Sequence, residues 1–262
     1  MNRIKIFVWL FLVLMSFKSN ASTSDSTFHR KIYLSWGYNK DWFTHSNIHL
    51  SDPNGYDFVL YHAAAHDRPN FDKIDQTISH LAIPQYNYRI GWYFKNKPNH
   101  GIEINFDHTK YVMDDNQTVH MKGRIGTTYF DQDTLVTPAF LHFEHTNGAN
   151  FFLLNYFSTK NIFQSKHFSV DLIGKAGLGG VVPKTDVTIF GTRLDNKFHL
   201  AGWLMGMEGA ARFTFFNHVY VETSAKTCLA DYVNVLVVGD GRAHHAFGSL
   251  ELIGNIGYQF RW

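Results

Sequence analysis

The amino-acid sequence predicts an all-β chain folded as an antiparallel, up-and-down transmembrane β-barrel of about ten strands. Three observations carry this. Runs of about ten residues alternate strictly between apolar and polar positions, turns rich in Asn, Asp, Gly or Pro separate the runs, and the chain closes on an alternating aromatic segment, LIGNIGYQFRW. In that last segment Leu252, Gly254, Ile256, Tyr258, Phe260 and Trp262 share one face, while Ile253, Asn255, Gly257, Gln259 and Arg261 share the other.

The strands follow in order along the chain. In KIYLSWGYNK, Ile32, Leu34, Trp36 and Tyr38 oppose Tyr33, Ser35, Gly37 and Asn39. YDFVLYHAAAH is the next run. QYNYRIGWYF sets Tyr86, Tyr88, Ile90, Trp92 and Phe94 against Asn87, Arg89, Gly91, Tyr93 and Lys95, and Asn96-Lys97-Pro98-Asn99 reads as the turn into GIEINFD. LVTPAFLHFEHT, FFLLNYFS and FSVDLIGKAGL follow. The segment from Phe198 to Phe215 sets Trp203, Met205, Met207, Ala211, Phe213 and Phe215 against Gly202, Gly206, Glu208 and Arg212. A tight turn at Asn217-His218 leads into VYVETSAKT, and the terminal strand is the tenth. An even count returns both ends of the barrel to one side.

Composition narrows the class. The first residues, MNRIKIFVWLFLVLMSFKSNAS, join a basic start to an apolar run too short to span a bilayer comfortably, followed by small residues. This predicts a signal peptide over 1–21 with cleavage after Ala21, a short stub over 22–28 and a barrel over 29–262. No later apolar run is long enough for a membrane helix. Aromatic residues make up 16% of the chain and charged residues 18%, so rings rather than charges dominate the surface to be covered. Cys228 is alone, which excludes an internal disulfide, and a net charge of +2 without a basic cluster points away from nucleic acid.

Alternation alone does not say which face is inside. Aromatics gather at strand ends, Tyr86 and Tyr88 at one and Trp92 and Phe94 at the other, as in interfacial girdles. The polar faces mix charges with glycines (Gly37, Gly91, Gly177, Gly202, Gly206), which suits a narrow filled lumen. The apolar face therefore meets lipid, and Arg89, Lys95, Glu103, Asp107, Glu144, Asp171, Lys175, Glu208, Arg212, Glu222, Lys226 and Arg261 are the expected lumen charges, paired across strands. The expected barrel has no plug domain. Tyr258, Phe260 and Trp262 form the expected assembly signal.

With its leader and terminal strand the chain resembles Gram-negative outer-membrane β-barrel proteins, and SWGYNKDWF, YDFVLYHAAAHDRP, IPQYNYRIGWYF, INFDHTKYVM and FEHTNGANF resemble a family of them without an established function. The resemblance implies residence in the outer membrane, contact with its lipid and lipopolysaccharide, and insertion by the barrel assembly machinery. It implies no reaction and no cofactor.

One stretch carries the residue types of chemistry. In LHFEHTNGANF, His142, Glu144 and Thr146 share one face of a strand and His145 takes the other, so a base, a carboxylate and a hydroxyl lie within five residues. The stretch is similar to the His-x-Ser-Asn-Gly/Ala signature of the lipid A 3-O-deacylase barrels, but Glu144 stands where that motif has histidine and Thr146 where it has serine. The alternative is a hairpin tip at Asn147-Gly148 with His142 and Glu144 as a lumen pair. Metal binding by His142, Glu144 and His145, or by His244 and His245, lacks a third ligand fixed by spacing, so no metal is expected. HDRPNFDKID reads as a solvated loop, and VVGDGRAHH lacks the lysine-hydroxyl pair of a phosphate loop. The expected function is that of a monomeric, non-enzymatic envelope barrel whose loops bind a ligand. A lipid acyl hydrolase is the alternative, and a narrow channel comes third.

Overall fold

Alternating segments bury one face each, and the computed structural model shows what they bury it against. It describes residues 31–53, 55–69, 85–146 and 148–261. The expected leader and stub, Asn147 and Trp262 lie outside the described residues. No helix occurs among those described, so none is long and apolar enough to cross a membrane. The strands are β1 (Lys31–Phe43), β2 (Ser46–Asp52), β3 (Tyr56–Ala63), β4 (Ala65–Asp67), β5 (Tyr86–Phe94), β6 (Lys97–Asp107), β7 (Tyr111–Met113), β8 (Gln117–Ile125), β9 (Thr128–Val136), β10 (Leu141–His145), β11 (Phe151–Gln164), β12 (Phe168–Val181), β13 (Asp186–Ile189), β14 (Thr192–Asp195), β15 (Gly202–Phe215), β16 (Val219–Leu236) and β17 (Arg242–Arg261).

Eight of them close a ring. β1, β5, β6, β11, β12, β15, β16 and β17 pair antiparallel in that order, and β1 returns to β17 from Lys31↔Arg261 to Phe43↔Ser249. Closure leaves no unpaired edge in the ring, which is what a spanning sheet requires. Of the ten expected strands, YDFVLYHAAAH and LVTPAFLHFEHT are the two that stay out of the ring. The continuous sheet runs on to twelve strands, because the upper part of β17 pairs with β2 and the order continues β3, β8, β9.

The two ends of the barrel differ. Short turns join β5 to β6, β11 to β12 and β15 to β16 at the end where Lys31 and Arg261 also lie; the β15–β16 turn uses positive φ at Phe216 and Asn217. At the other end three long connections carry β2–β4, β7–β10 and β13–β14. They do not remain loops. β14, β13, β10, β7 and β4 form a second sheet in that order, and its inner face packs on the β2–β3–β8–β9 extension. Tyr111, Met113, Leu141, Phe143, Val187 and Ile189 meet Ile48, Leu50, Phe58, Leu60, Met121 and Val136 in one buried cluster that runs down to Phe151, Leu153 and Leu204 at the head of the barrel. Each large side chain so buried contributes about 1.5–3 kcal/mol, and together they make a two-sheet cap over the lumen. The stretch read as a solvated loop begins inside this cap, with Asp67 in β4 accepting the Asp41 backbone N–H at 2.8 Å.

Polarity locates the bilayer. In the ring the exposed side chains are Leu34, Ile90, Ile104, Leu154, Leu172, Met205, Val221, Leu252 and Ile256, with aromatic clusters at both ends: Tyr86, Tyr88, Phe106 and Phe152 towards the cap, Phe168, Phe215, Tyr258 and Phe260 near the turns. In the cap polar side chains such as His49, Asp57, His120 and Lys122 stand among the exposed ones, beside the apolar Tyr129, Leu135, Phe190 and Leu194. β17 shows both regimes without a break in its alternation. Ala243, His245 and Phe247 point inward with Arg242 and His244 outside; from Ser249 on, Ser249, Glu251 and Asn255 point inward with Leu250, Leu252 and Ile256 outside. The apolar face changes sides because the solvent changes from water to lipid.

Candidate functional site

The lumen is occupied by side chains whose register sets opposite charges side by side. Lys175 pairs in register with Glu208, Glu208 with Lys226, and Lys226 with Glu251, so the sign alternates across β12, β15, β16 and β17; one level lower, Asp171, Arg212 and Glu222 alternate in the same way. On the other wall Arg89 lies diagonally between Glu103 and Asp107. The resulting contacts are close. Arg89 Nη1 meets Asp107 Oδ1 at 2.6 Å, with Glu103 and Glu208 at 3.8 and 3.9 Å. Lys175 Nζ lies 3.0 Å from each of Glu103, Glu208 and Glu222. Arg212 Nη2 lies 2.6 Å from Glu222, and Lys226 bridges Asp107 and Glu251. All are buried. Charges withdrawn from water persist only when matched in this way.

Neutral groups complete the filling. Tyr33 donates its hydroxyl to Glu103 at 2.6 Å, Asn155 donates to the same carboxylate at 3.1 Å, and Asn105 bridges Lys226 and Asp107. The Arg212 guanidinium lies between the Tyr33 and Tyr220 rings, 4.1 Å from each centroid. Gly91 and Gly257 are the seats of those two rings: a Cβ at either would run into the tyrosine above it. These two glycines of the polar face are thus sockets for large side chains.

Of the twelve charges expected in the lumen, eight converge: Arg89, Glu103, Asp107, Lys175, Glu208, Arg212, Glu222 and Lys226. Four do not. The β5–β6 turn sits at Lys95-Asn96, ahead of the expected Asn96–Asn99, and a register shift after Tyr93 brings Phe94 opposite Lys97; Lys95 is therefore an exposed turn residue. Asp171 keeps its register opposite Arg212, but its carboxylate accepts from Asn161 Nδ2 at 2.9 Å at the short-turn rim. Arg261 is exposed at the strand end, and Glu144 belongs to the cap. Glu251 and Asp41 were missed, although both continue the inward phase of their strands. Asp41 faces Glu251 in register and is held by Asn39 and Gln85 amides, each at 3.0 Å.

The His142, Glu144, Thr146 stretch lies on the outer face of the cap's second sheet. Thr146 Oγ1 donates to Glu144 Oε1 at 2.5 Å; Glu144 Oε2 receives Arg68 at 3.0 Å and His142 Nε2 at 3.2 Å; His142 Nδ1 faces Asp115 at 2.9 Å. A carboxylate stands between the hydroxyl and the imidazole, so His142 does not touch Thr146. The neighbouring Asp186 carboxyl is held below its usual range by hydrogen bonds and charge from Arg193. β10 pairs with β13 and β7 rather than with β11, which overturns the expected hairpin tip: Gly148, at φ 126°, belongs to the passage from the cap into the barrel. His145 points the opposite way, into the cap core, and His244 points outward to Asp231 at 2.8 Å. The two histidine sets weighed as metal ligands do not converge; among the described residues no group of three His, Cys, Asp or Glu side chains is placed to hold a metal ion.

No family model and no curated protein matches the chain. Solved structures do resemble it. The attachment invasion locus protein Ail of Yersinia pestis matches with 13% identity and a TM-score of 0.34, over 88% of this chain and 99% of its own. The outer membrane protease OmpT of Escherichia coli matches with 9% identity and a TM-score of 0.36 over 92% and 100%, and the outer membrane protein OprG of Pseudomonas aeruginosa with 11% identity and 0.36 over 88% and 96%. They differ in role, and none is carried over to this chain. By its closed ring, its lipid-facing apolar band and its paired interior charges, the protein is itself a β-barrel of the outer membrane.

Proposed function

We propose that the protein is a non-conducting, non-enzymatic envelope barrel that holds a folded β-cap at the membrane surface, where the cap binds its ligand. The observation that supports this reading most is the matched ion network across the lumen, with Arg89 and Lys175 each among three carboxylates. A pore lined this way would have to break several buried ion pairs to pass a solute. Outer-membrane barrels keep short turns on the periplasmic side and long connections outside, which supports a cap that faces the cell exterior. The outward side chains of that cap, among them His142, Asp115, Arg68, Arg193 and Lys184, are polar and charged, and suit an ionic or carbohydrate-bearing partner such as lipopolysaccharide.

The test is surface labelling. Native Cys228 is buried, so a cysteine placed at Thr192 in β14 is the reporter. It labels with a membrane-impermeant maleimide in intact cells; labelling that requires a broken outer membrane would reject the proposed orientation.

A second reading, lipid acyl hydrolysis, has one observation behind it: the Thr146–Glu144–His142–Asp115 row of polar contacts, in which Thr146 hydrogen-bonds Glu144 and His142 Nε2 lies within ion-pair distance of Glu144. The order of that row leaves Glu144, already engaged by Arg68 and His142, as the base for Thr146. The proposed function expects identical lipid mass profiles from wild type and Thr146→Ala. Acyl release that disappears in the variant would establish the hydrolase instead.

A further inference from the structure

We propose that His145 and His245 form an acid-sensitive latch that holds the second cap sheet on the barrel and releases it when the pair takes up protons. The two imidazoles come from the two structures the latch joins: His145 from β10 in the cap, His245 from the part of β17 above the lipid band. Their Nε2 atoms are 3.0 Å apart, and both rings are buried. At that separation one ring donates and the other accepts, so the contact exists only while at least one imidazole is neutral. Thr185 Oγ1 lies 2.9 Å from His145 Nδ1, whereas His245 Nδ1 is buried without a partner.

The surroundings offer nothing to stabilise a cationic pair. Tyr232 stacks on both rings, at 5.1 and 5.0 Å, and Tyr111, Phe143 and Phe247 complete the box. The Tyr111 hydroxyl is engaged with Ser46 of β2, and that of Tyr232 donates to the Ala149 carbonyl. The titratable groups on the packed elements are no closer to serving as counter-ions. Glu144 and Asp186 lie on the outer face of their sheet with Arg68 and Arg193; His244 points outward to Asp231; His199, in the segment before β15, bonds the Asn234 carbonyl. No carboxylate pairs with either ring among the described residues. Burial pushes the His145 imidazole down to about 3 and His245 well below its ordinary value.

The direction of the effect follows from these shifts. A histidine whose folded value is depressed contributes stability that is present above its unfolded value of about 6.5 and is lost as pH falls towards the folded one. With two protons taken up on opening, the open-to-closed ratio rises about 100-fold per pH unit inside that window. His245 stays in the β16–β17 ladder opposite Tyr232, whereas His145 lies in β10, which pairs only with the cap strands β13 and β7, so opening is local to the cap.

The experiment is hydrogen exchange of the full chain in detergent micelles from pH 8 to pH 4, after correction for the intrinsic pH dependence of exchange. Amides of residues 141–145 and 186–189 are expected to lose protection steeply below pH 6 while the ring strands retain theirs, and a His145→Phe, His245→Phe double variant is expected to flatten that dependence. An unchanged acid midpoint in the double variant, or loss of cap and ring protection at the same pH, would overturn the proposal. If the double variant does not fold, imidazole 15N spectra of the wild type decide: the pair is expected to be neutral for as long as the cap is closed, and a cationic pair in a closed cap would overturn the latch.

Discussion

Arg89 shows at single-residue scale what holds the lumen together. Its guanidinium is buried against Asp107, Glu103 and Glu208, so Arg89→Ala leaves carboxylates without their cation and is expected to cost about 3–5 kcal/mol. Lys97 is exposed at the start of β6, and Lys97→Ala should stay within about 0.5 kcal/mol of wild type. Heat-modifiability on gels measures both; equal transition temperatures would show that the network does not stabilise the barrel. The eight converging lumen residues were legible because inward positions recur every second residue and β-register places them opposite one another. Lys95 was misread for a local reason: it has the right parity, but the turn begins one residue earlier than the Asn and Pro signals suggest, and parity loses its meaning where the ladder ends. Glu251 escaped because the terminal strand was read only from Leu252, although the same alternation extends upstream to Arg242.

At the scale of elements, the ring strands and the cap strands cannot be told apart by periodicity. β3 alternates as regularly as β12, but its exposed positions carry Asp57 where a ring strand carries Leu172. The chemical identity of the outward face, rather than its period, separates a strand that meets lipid from one that meets water. That distinction, applied to YDFVLYHAAAH and LVTPAFLHFEHT, explains why ten alternating runs resolve into eight ring strands and two cap segments. β10 is harder still to read, since Phe143 and His145 are buried on one face while Glu144 is covered by its ion pairs on the other. The cap has its own packing and should fail on its own. Phe143→Ala removes a fully buried ring from the junction of the sheets, an expected loss of about 3–5 kcal/mol. Limited proteolysis should then cut within residues 108–150 while the ring strands resist; a fragment pattern identical to wild type would mean that the cap does not depend on this core.

For the whole molecule, the barrel and the cap are parts of one object. The apolar cluster of the cap continues into the head of the barrel through Phe151, Leu153 and Leu204, and the ion network begins below it. Solutes would meet first a packed hydrophobic layer and then a densely ion-paired one, and the proposed non-conducting function rests on that sequence of layers. Planar-bilayer recording of the purified, folded protein tests this most directly. The account predicts that the wild type inserts without discrete conductance steps at neutral pH, in the presence of either monovalent or divalent salts. Reproducible unitary steps from the wild type, altered in size by Arg89→Ala, would show that the lumen conducts and would contradict the account.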